Sequence, residues 1–340
     1  MKEKFLAALL VATAVICLPI GAAAGEVPPG YDRSVRPDPE GTPTPVKVGV
    51  FMLDVTEIND IEQSFTAGLY FDVSYHDPRL ADPSASGIRT FGLNEIWWPD
   101  LGLVNRRDIE LIFPHVLKVD RDGNVRYNQR VFGDFSARLD LRKFPFDDQR
   151  LPVEVVSFTF GSDALDLVLD REHSGRLESL SLSGWTVMTG GVDTLPKRAD
   201  ALKHEQLVFH IDVVRKVPFY RWSILVPLCL IVLMAWCVFW IDPQYLPSQV
   251  GLSTASVFSL IAFRFSLRAL LPKLDYLTYL DEFVFASTVL VFLALGQAIA
   301  TGRLAKMGHE SLAHRIDVWT RSIYLVVFVV LAAVTLRFKF

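Results

Sequence analysis

The sequence is poor in cysteine. Three cysteines occur in 340 residues, and none lies between Glu26 and Val217. Cys17 belongs to an N-terminal apolar run, whereas Cys229 and Cys237 lie in a later one, where we expect packed thiols. A long segment without cysteine cannot depend on a disulfide framework. It must therefore fold around a hydrophobic core.

The chain also lacks the patterns that mark enzymes and metal centres. It contains no nucleophile motif, no cluster of metal ligands at a recognised spacing and no phosphate-binding loop. We therefore predict no enzyme activity, no cofactor and no bound metal. The segment Asp120–Asn124 imitates the start of a calcium loop, but no suitable glutamate or helix follows. A plain hairpin turn is predicted there.

Basic residues are fewer than acidic residues over most of the chain. Residues 26–217 hold 31 acidic and 22 basic side chains, and the formal net charge of the whole sequence is −4. No uniformly basic face is present, which argues against nucleic acid as a partner.

The N-terminus has the layout of a secretory signal peptide. Lys2 and Lys4 precede the apolar run 5–20, and three alanines precede Gly25. The sequence predicts a signal peptide over residues 1–24, the alternative being an anchor that stays attached. Residues 25–45 are rich in proline, glycine and charge, and we predict an extended or mobile lead-in.

Residues 46–217 show β patterns throughout. Segments such as VKVGVFMLDV and EQLVFHIDVVRK alternate polar and apolar residues at strand length. Two further alternating segments flank the turn at 120–124. Many short strands at this spacing predict an exported, extracellular β-sandwich of the immunoglobulin-like type over residues 46–217.

The composition then changes abruptly to that of a membrane domain over residues 218–340. Three segments are apolar and long enough to cross a bilayer. Residues 246–271 form a fourth helix-length segment of another kind, because it carries hydroxyl groups and arginines that lipid does not accept. It must face protein or water inside a bundle. We predict membrane helices at about 219–241, 247–270, 282–301 and 318–338.

The distribution of charge between these helices predicts the orientation. The linker 301–317 holds Arg303, Lys306 and Arg315, which places it on the cytoplasmic side. The β-domain then lies on the periplasmic or extracellular side of the cell (inner) membrane, and residues 272–281 face it.

Four motifs occur in a recognisable order. They are YHDPRL at 75–80, WWPD at 97–100, FPFDDQ at 144–149 and LPKLDYLTYLD at 271–281. From about residue 46 onwards the chain resembles a bacterial pentameric ligand-gated ion channel of the Cys-loop superfamily. Animal members carry two cysteines around the third motif with thirteen residues between them, and Ala137 and Leu151 stand at those places here.

The resemblance implies a homopentamer in a lipid bilayer, with inorganic ions passing through a pore lined by the second membrane helix. The matching residues recur at three- and four-residue steps, so they share one helical face. They are Gly251, Ala255, Phe258, Ala262, Phe265 and Ala269. The phenylalanine rings would form an apolar gate. Ordinary packing of these rings, or a one-residue slip that brings Thr254 or Ser256 to the axis, remains an alternative.

Different features of the sequence favour opposite ion selectivities. Pro247-Ser248-Gln249 resembles anion-selective members and supplies no carboxylate, and Arg264 and Arg268 would also favour anions at the pore. The acidic β-domain would concentrate cations instead. The balance of these features predicts a cation-selective channel.

The resemblance also assigns a coupling region between the two domains. Phe144, Pro145 and Phe146 would press against the outer ends of the membrane helices, near Pro272. Asp147 would pair with Arg215, and Asp60 would join them; the alternative is that Asp147 caps a local turn.

Agonist would bind between adjacent β-domains in an aromatic box. Tyr70, Phe158 and Phe160 match that box and can attract an amine through their ring faces. The capping loop 196–206 has no aromatic residue, but His204 can titrate near neutral pH. The effector is therefore open among a small molecule, a proton and a divalent ion, or the loop is simply solvated. A membrane-anchored sensor or solute-binding protein without a pore is the competing function, although it gives the polar helix no role.

Overall fold

The structure, a computed structural model, describes residues 23–188, 193–195, 204–268 and 272–335. Two β-sheets are followed by four long helices, so the predicted fold class of a sheet-rich domain joined to a four-helix membrane domain is confirmed. Residues 1–22 of the predicted signal peptide lie outside the described residues. That segment remains a prediction.

The larger sheet has nine strands, and β8, β3 and β2 form its centre. Its path runs β1-β4-β7-β8-β3-β2-β10, with β11 paired to β2 and β6 paired to β8. The strands are β1 Ala23–Ala24, β2 Thr44–Asn59, β3 Ser64–His76, β4 Arg89–Gly92, β6 Arg106–Leu111, β7 Val116–Val119, β8 Asn124–Ser136, β10 Leu165–Leu169 and β11 Gly175–Arg176.

The smaller sheet has five strands in the order β12-β14-β9-β5, with β13 paired to β14. They are β5 Leu101–Leu103, β9 Asp148–Gly161, β12 Trp185–Val187, β13 Asp193–Leu195 and β14 His204–Arg215. Apolar side chains from both sheets form one core, in which Phe65 stacks on Phe135 at 5.3 Å between ring centroids. This cysteine-free domain is therefore held by packing.

The hairpin between β2 and β3 positions one of the predicted coupling residues. The Asn59 side chain accepts hydrogen bonds from the backbone N–H groups of Ile61 and Glu62, and Gln63 adopts a positive φ of 52°. These features close a tight turn. Asp60 is consequently held at the tip of the hairpin, at the end of the domain that meets the helices.

The lead-in is more ordered than the sequence predicts. The guanidinium group of Arg36 donates hydrogen bonds to the carbonyl oxygens of Pro39, Gly41 and Thr42 at 2.9–3.1 Å. The Tyr31 hydroxyl donates to the buried carboxylate of Asp77 at 2.8 Å. Proline and glycine here form turns that these hydrogen bonds close, and the contact with buried Asp77 attaches the segment to the β-domain.

All four membrane-length helices are present, although their ends differ from the predicted ones. They are α1 Pro218–Trp240, α2 Leu246–Leu267, α3 Tyr279–Lys306 and α4 Glu310–Thr335. Thr278 begins α3 with a capping box, in which its side chain accepts from the Asp281 N–H and its own N–H donates to the Asp281 carboxylate. Helix α1 contains a π-helical turn over Arg221–Leu225.

The predicted cytoplasmic linker 301–317 is mostly helix, and only 307–309 lie between α3 and α4. Arg303 and Lys306 occupy the last turn of α3, where cations interact favourably with the helix dipole. Gly308 has a φ of 88°, which suits the residue that follows a helix. The charges from which the orientation is predicted therefore lie within α3 and α4 rather than in a loop.

Helix α2 buries polar groups against protein, as expected for a helix that lipid does not accept. Gln249, Ser253 and Ser256 are buried among the neighbouring helices. The Gln249 amide donates to the backbone carbonyl of Ile241 at 2.9 Å and to the carboxylate of Asp317, on α4, at 3.3 Å. This face of α2 is fixed toward the bundle, so its opposite face is free for other contacts.

Candidate gating site and pore

The motif 144–149 forms the lower end of the β-domain. A turn is closed by hydrogen bonds from the Phe144 N–H to the Leu141 carbonyl and from the Phe146 N–H to the Lys143 carbonyl. Strand β9 starts only at Asp148, so Pro145 lies outside both sheets, where its missing N–H leaves no gap in a ladder. Phe144 is 1% exposed and Phe146 is partly buried.

Arg215 lies between two carboxylates at the junction of the domains. Its Nε and Nη2 donate to Asp147 at 2.8 and 3.0 Å, and its Nη1 and Nη2 donate to Asp60 at 2.7 and 2.8 Å. Nη1 also donates to the Tyr220 hydroxyl at 3.0 Å. All five N–H groups of the guanidinium are thereby used. The predicted contacts of Arg215 with Asp147 and Asp60 are present.

Aromatic rings enclose this arginine. Its guanidinium carbon lies 4.0 Å from the ring centroid of Trp185, 4.9 Å from that of Phe144 and 5.6 Å from that of Tyr220. Phe144 meets Tyr220, in the first turn of α1, edge to face at 5.1 Å. The apolar turn therefore packs against the start of the membrane domain through the same residues that surround the charge.

Burial and neighbouring charge have opposite effects on the pKa of Arg215, and the effect of charge is the larger. The Arg215 side chain is 2% exposed and that of Asp147 is 1% exposed. Burial alone would lower the pKa of Arg215, but hydrogen bonds and attraction from Asp60 and Asp147 raise it above its usual value. The arginine stays charged. The Asp147 carboxylate bonds to Arg215 and to the Gln149 side chain, so its main role is not that of a turn cap.

A second set of contacts joins the same loop to the segment between α2 and α3. The Tyr276 hydroxyl accepts from the Leu141 N–H at 3.0 Å, and the Arg142 guanidinium lies 4.9 Å above the Tyr276 ring. The Tyr279 N–H donates to the Arg142 carbonyl at 3.0 Å. Pro272 lines a nearby cavity of about 670 Å³. None of the hydrogen bonds described for this loop involves Pro272.

The predicted pore stripe lies on the face of α2 that points away from the other helices. Phe258 is 66% exposed and Phe265 is 64% exposed, and Gly251, Ala255 and Ala262 are exposed as well. Ala269 lies outside the described residues. Ser256 is buried and its hydroxyl donates to the Leu252 carbonyl, which disfavours the slip that would bring Ser256 to the axis, whereas Thr254 is half-buried.

The predicted aromatic-box residues do not meet within one chain. Tyr70 is on β3, where it contacts Phe113 edge to face at 6.3 Å. Phe160 packs on Trp97 at 5.6 Å, while Phe158 is 54% exposed on the other sheet. The side chain of His204 and residues 196–203 lie outside what the structure describes. Two separated aromatic faces are what a box shared by adjacent subunits requires.

A cavity of about 280 Å³ adjoins Tyr70 and is lined by Phe113, Pro114, Val116, Lys118 and Asn128. Burial raises the pKa of Tyr70, and the negative charge of Asp72 raises it further. The hydroxyl therefore remains protonated and can donate a hydrogen bond at neutral pH. An aromatic ring with a donor beside a lysine and an amide suits a small polar ligand.

A two-sheet domain tied through a buried arginine to four membrane-length helices has the architecture of a multi-pass membrane receptor. The family described as the neurotransmitter-gated ion-channel ligand binding domain matches residues 25–217. The neurotransmitter-gated ion-channel transmembrane region matches residues 224–332. The chain therefore belongs to the neurotransmitter-gated ion-channel family, whose members are ligand-gated ion channels rather than enzymes.

Three relatives illustrate this membership. A proton-gated ion channel of Gloeobacter violaceus (strain ATCC 29082 / PCC 7421) is 27% identical over 320 residues, which cover 92% of this chain and 88% of that protein. The gamma-aminobutyric acid receptor subunits beta-4 of Gallus gallus and rho-1 of Mus musculus are 25% and 27% identical over 275 and 288 residues. These alignments cover 78% and 81% of this chain, but 56% and 59% of the two subunits.

Some residues of the site escape sequence reasoning. Trp185 and Tyr220 contact Arg215, yet neither stands out by spacing, and Gln149, which lies inside the motif 144–149, bonds to Asp147 at 2.6 Å although the sequence predicts no role for it. Tyr276 lies inside the motif 271–281, so its position is available from the sequence although its partner is not.

Proposed function

We propose that five copies of this chain form an effector-gated channel in the cell (inner) membrane, with α2 lining a central ion pore and the β-domain on the periplasmic or extracellular side. The observation that carries this proposal is the exposed stripe of α2. Its glycine, alanines and phenylalanines share one face, while its buried hydroxyl and amide groups face the bundle. Closing five such faces around one axis would leave small residues along the lumen and two tiers of five phenyl rings each.

The effector would bind between adjacent β-domains, with Tyr70 on one subunit facing Phe158 and Phe160 on the next. The cavity beside Tyr70 and the exposure of Phe158 support this arrangement. Binding would then act on α1 through Arg215 and on the α2–α3 segment through Tyr276. The effector class is tested by measuring the currents that small amines, protons and divalent ions evoke. Protons are tested first, because the Gloeobacter relative is named a proton-gated ion channel.

A homopentamer is the first expected outcome. Native mass spectrometry of the purified protein in detergent should show a dominant species of five chains, because the exposed arginines of α2, Arg264 and Arg268, must face protein or water rather than lipid. A dominant monomer or dimer would contradict the pore and would restore the competing hypothesis of an anchored sensor.

Cation selectivity is the second expected outcome. The acidic excess of residues 26–217 would raise the cation concentration above the pore entrance. Reversal potentials measured across a tenfold NaCl gradient should therefore move toward the sodium equilibrium potential. Movement toward the chloride potential would assign selectivity to the exposed arginines Arg264 and Arg268 instead, with Arg264→Gln and Arg268→Gln as the variants that identify which one.

A further inference from the structure

Three potential metal ligands come together in the β-domain, away from the coupling region and the pore. Asp72, Asp170 and His173 each place one donor atom within 4.8 Å of the others. Asp72 belongs to β3, whereas Asp170 and His173 follow β10. The sequence predicts no metal because these residues lie far apart along the chain. The fold alone brings them together.

Asp72 is a buried carboxylate with an open oxygen. Its residue is 3% exposed, and its Oδ2 accepts a hydrogen bond from the Asn128 side chain at 2.7 Å. Its Oδ1 is buried and accepts no hydrogen bond from the residues that the structure describes. Arg126 Nε lies 3.4 Å from Oδ1, close enough for attraction but not aligned as a hydrogen bond, and this arginine is half exposed. A buried anionic oxygen in this state favours a cation.

Asp170 and His173 are held in a fixed turn. Asp170 Oδ1 accepts from the N–H groups of Glu172 and His173, and Asp170 Oδ2 lies 2.9 Å from His173 Nδ1. These contacts keep the carboxylate and the imidazole side by side on one turn.

Gly49 lets this turn approach Asp72. Gly49 pairs with Asp72 across β2 and β3, and a Cβ built at Gly49 would lie 2.9 Å from both the Cβ and the carbonyl oxygen of His173. Real side chains do not tolerate that distance without displacement. The absent side chain at position 49 thus leaves room for the turn that carries His173 beside Asp72.

We propose that Asp72, Asp170 and His173 form a binding site for a divalent transition-metal ion of the Zn²⁺ type. Zinc takes imidazole nitrogen and carboxylate oxygen at about 2.0–2.2 Å, so its ligand atoms lie about 3.4 Å apart in a tetrahedron. Small side-chain rotations reach that geometry from the present cluster. The imidazole distinguishes the site from a calcium site, which requires oxygen ligands. Water would complete the coordination on the exposed side of His173.

The proposal is independent of channel activity, and its test is a binding measurement. Isothermal titration of ZnCl₂ into the purified full-length protein in detergent should give one Zn²⁺ per chain, and excess CaCl₂ should not displace it. Asp72→Asn and His173→Gln should each weaken binding at least tenfold. His309→Gln and Asp122→Asn, which change exposed residues elsewhere, should leave it unchanged.

Two further variants address positioning and competition. Gly49→Ala removes no ligand but should weaken binding, because it displaces the His173 turn. Arg126→Gln should tighten binding several-fold, because it removes the positive charge beside Asp72 Oδ1. His173 is partly exposed, so its variant should fold, and size-exclusion elution checks this. Unchanged binding in both Asp72→Asn and His173→Gln, or equal loss in His309→Gln, would overturn the proposal.

Discussion

Arg215→Ala is expected to abolish agonist-evoked current. The arginine is the shared partner of Asp60, from the β2–β3 hairpin, and Asp147, from the 139–147 loop, and it contacts Tyr220 in α1. Its removal leaves two carboxylates without their counter-charge, one of them fully buried. Breaking a buried pair in this way costs about 3–5 kcal/mol, so the link between the domains should be lost.

Arg150→Ala is the matched control. Arg150, on β9, pairs with Asp212, on the same strand β14 as Arg215, at 3.1 Å, but both side chains are exposed. Such a surface pair contributes about 0–1 kcal/mol, so current should be retained. Surface expression and native mass spectrometry separate lost gating from lost assembly.

If Arg215→Ala fails to assemble, Arg215→Lys keeps the charge with fewer donors and should assemble with a reduced maximal current. Wild-type responses in Arg215→Lys and Arg215→Ala alike would show that the ion pair has no gating role.

Phe258→Ser is expected to produce a leak current without agonist. On the proposed pore face, five phenyl rings at this level would exclude a hydrated ion, because no polar atom there replaces its water. A hydroxyl group at the same position would admit water and shorten the apolar constriction. The measurement is the agonist-independent conductance, normalised to the amount of protein at the cell surface.

Phe263→Ser is the control on the same helix. Phe263 is partly buried and packs against the core, whereas Phe258 is mostly exposed in the single chain. Substitution at Phe263 should therefore lower expression and thermal stability without producing leak. A leak in Phe263→Ser with none in Phe258→Ser would mean that the pore stripe follows another face of α2.

The sequence predicts the parts of this protein that depend on local patterns. Alternation and apolar length predict the two-sheet domain and the four helices, and the family resemblance carried by the motif 144–149 implies the contact of Asp147 with Arg215. Helix ends are less accessible, because Arg303 and Lys306 read as loop charges although they stabilise the end of α3.

Contacts between distant segments are what the sequence cannot supply. Trp185 lies against Arg215 because β12 pairs with β14, and no residue spacing in the sequence predicts that pairing. Asp72 and His173 are likewise brought together by the fold, because β2 pairs with β3 and because Gly49 has no side chain that would displace His173. Such sites depend on strand register, which is a property of the whole sheet.

The hydrogen bond from the Tyr279 N–H to the Arg142 carbonyl has a consequence for experiments of another kind. Both of its atoms belong to the main chain, so every ordinary side-chain substitution at these positions leaves it in place. An alanine scan would consequently assign the whole connection between the loop and α3 to side chains such as Tyr276. Replacing residue 279 by its α-hydroxy acid, which exchanges the amide for an ester and removes one N–H, would reveal the portion that mutagenesis cannot detect.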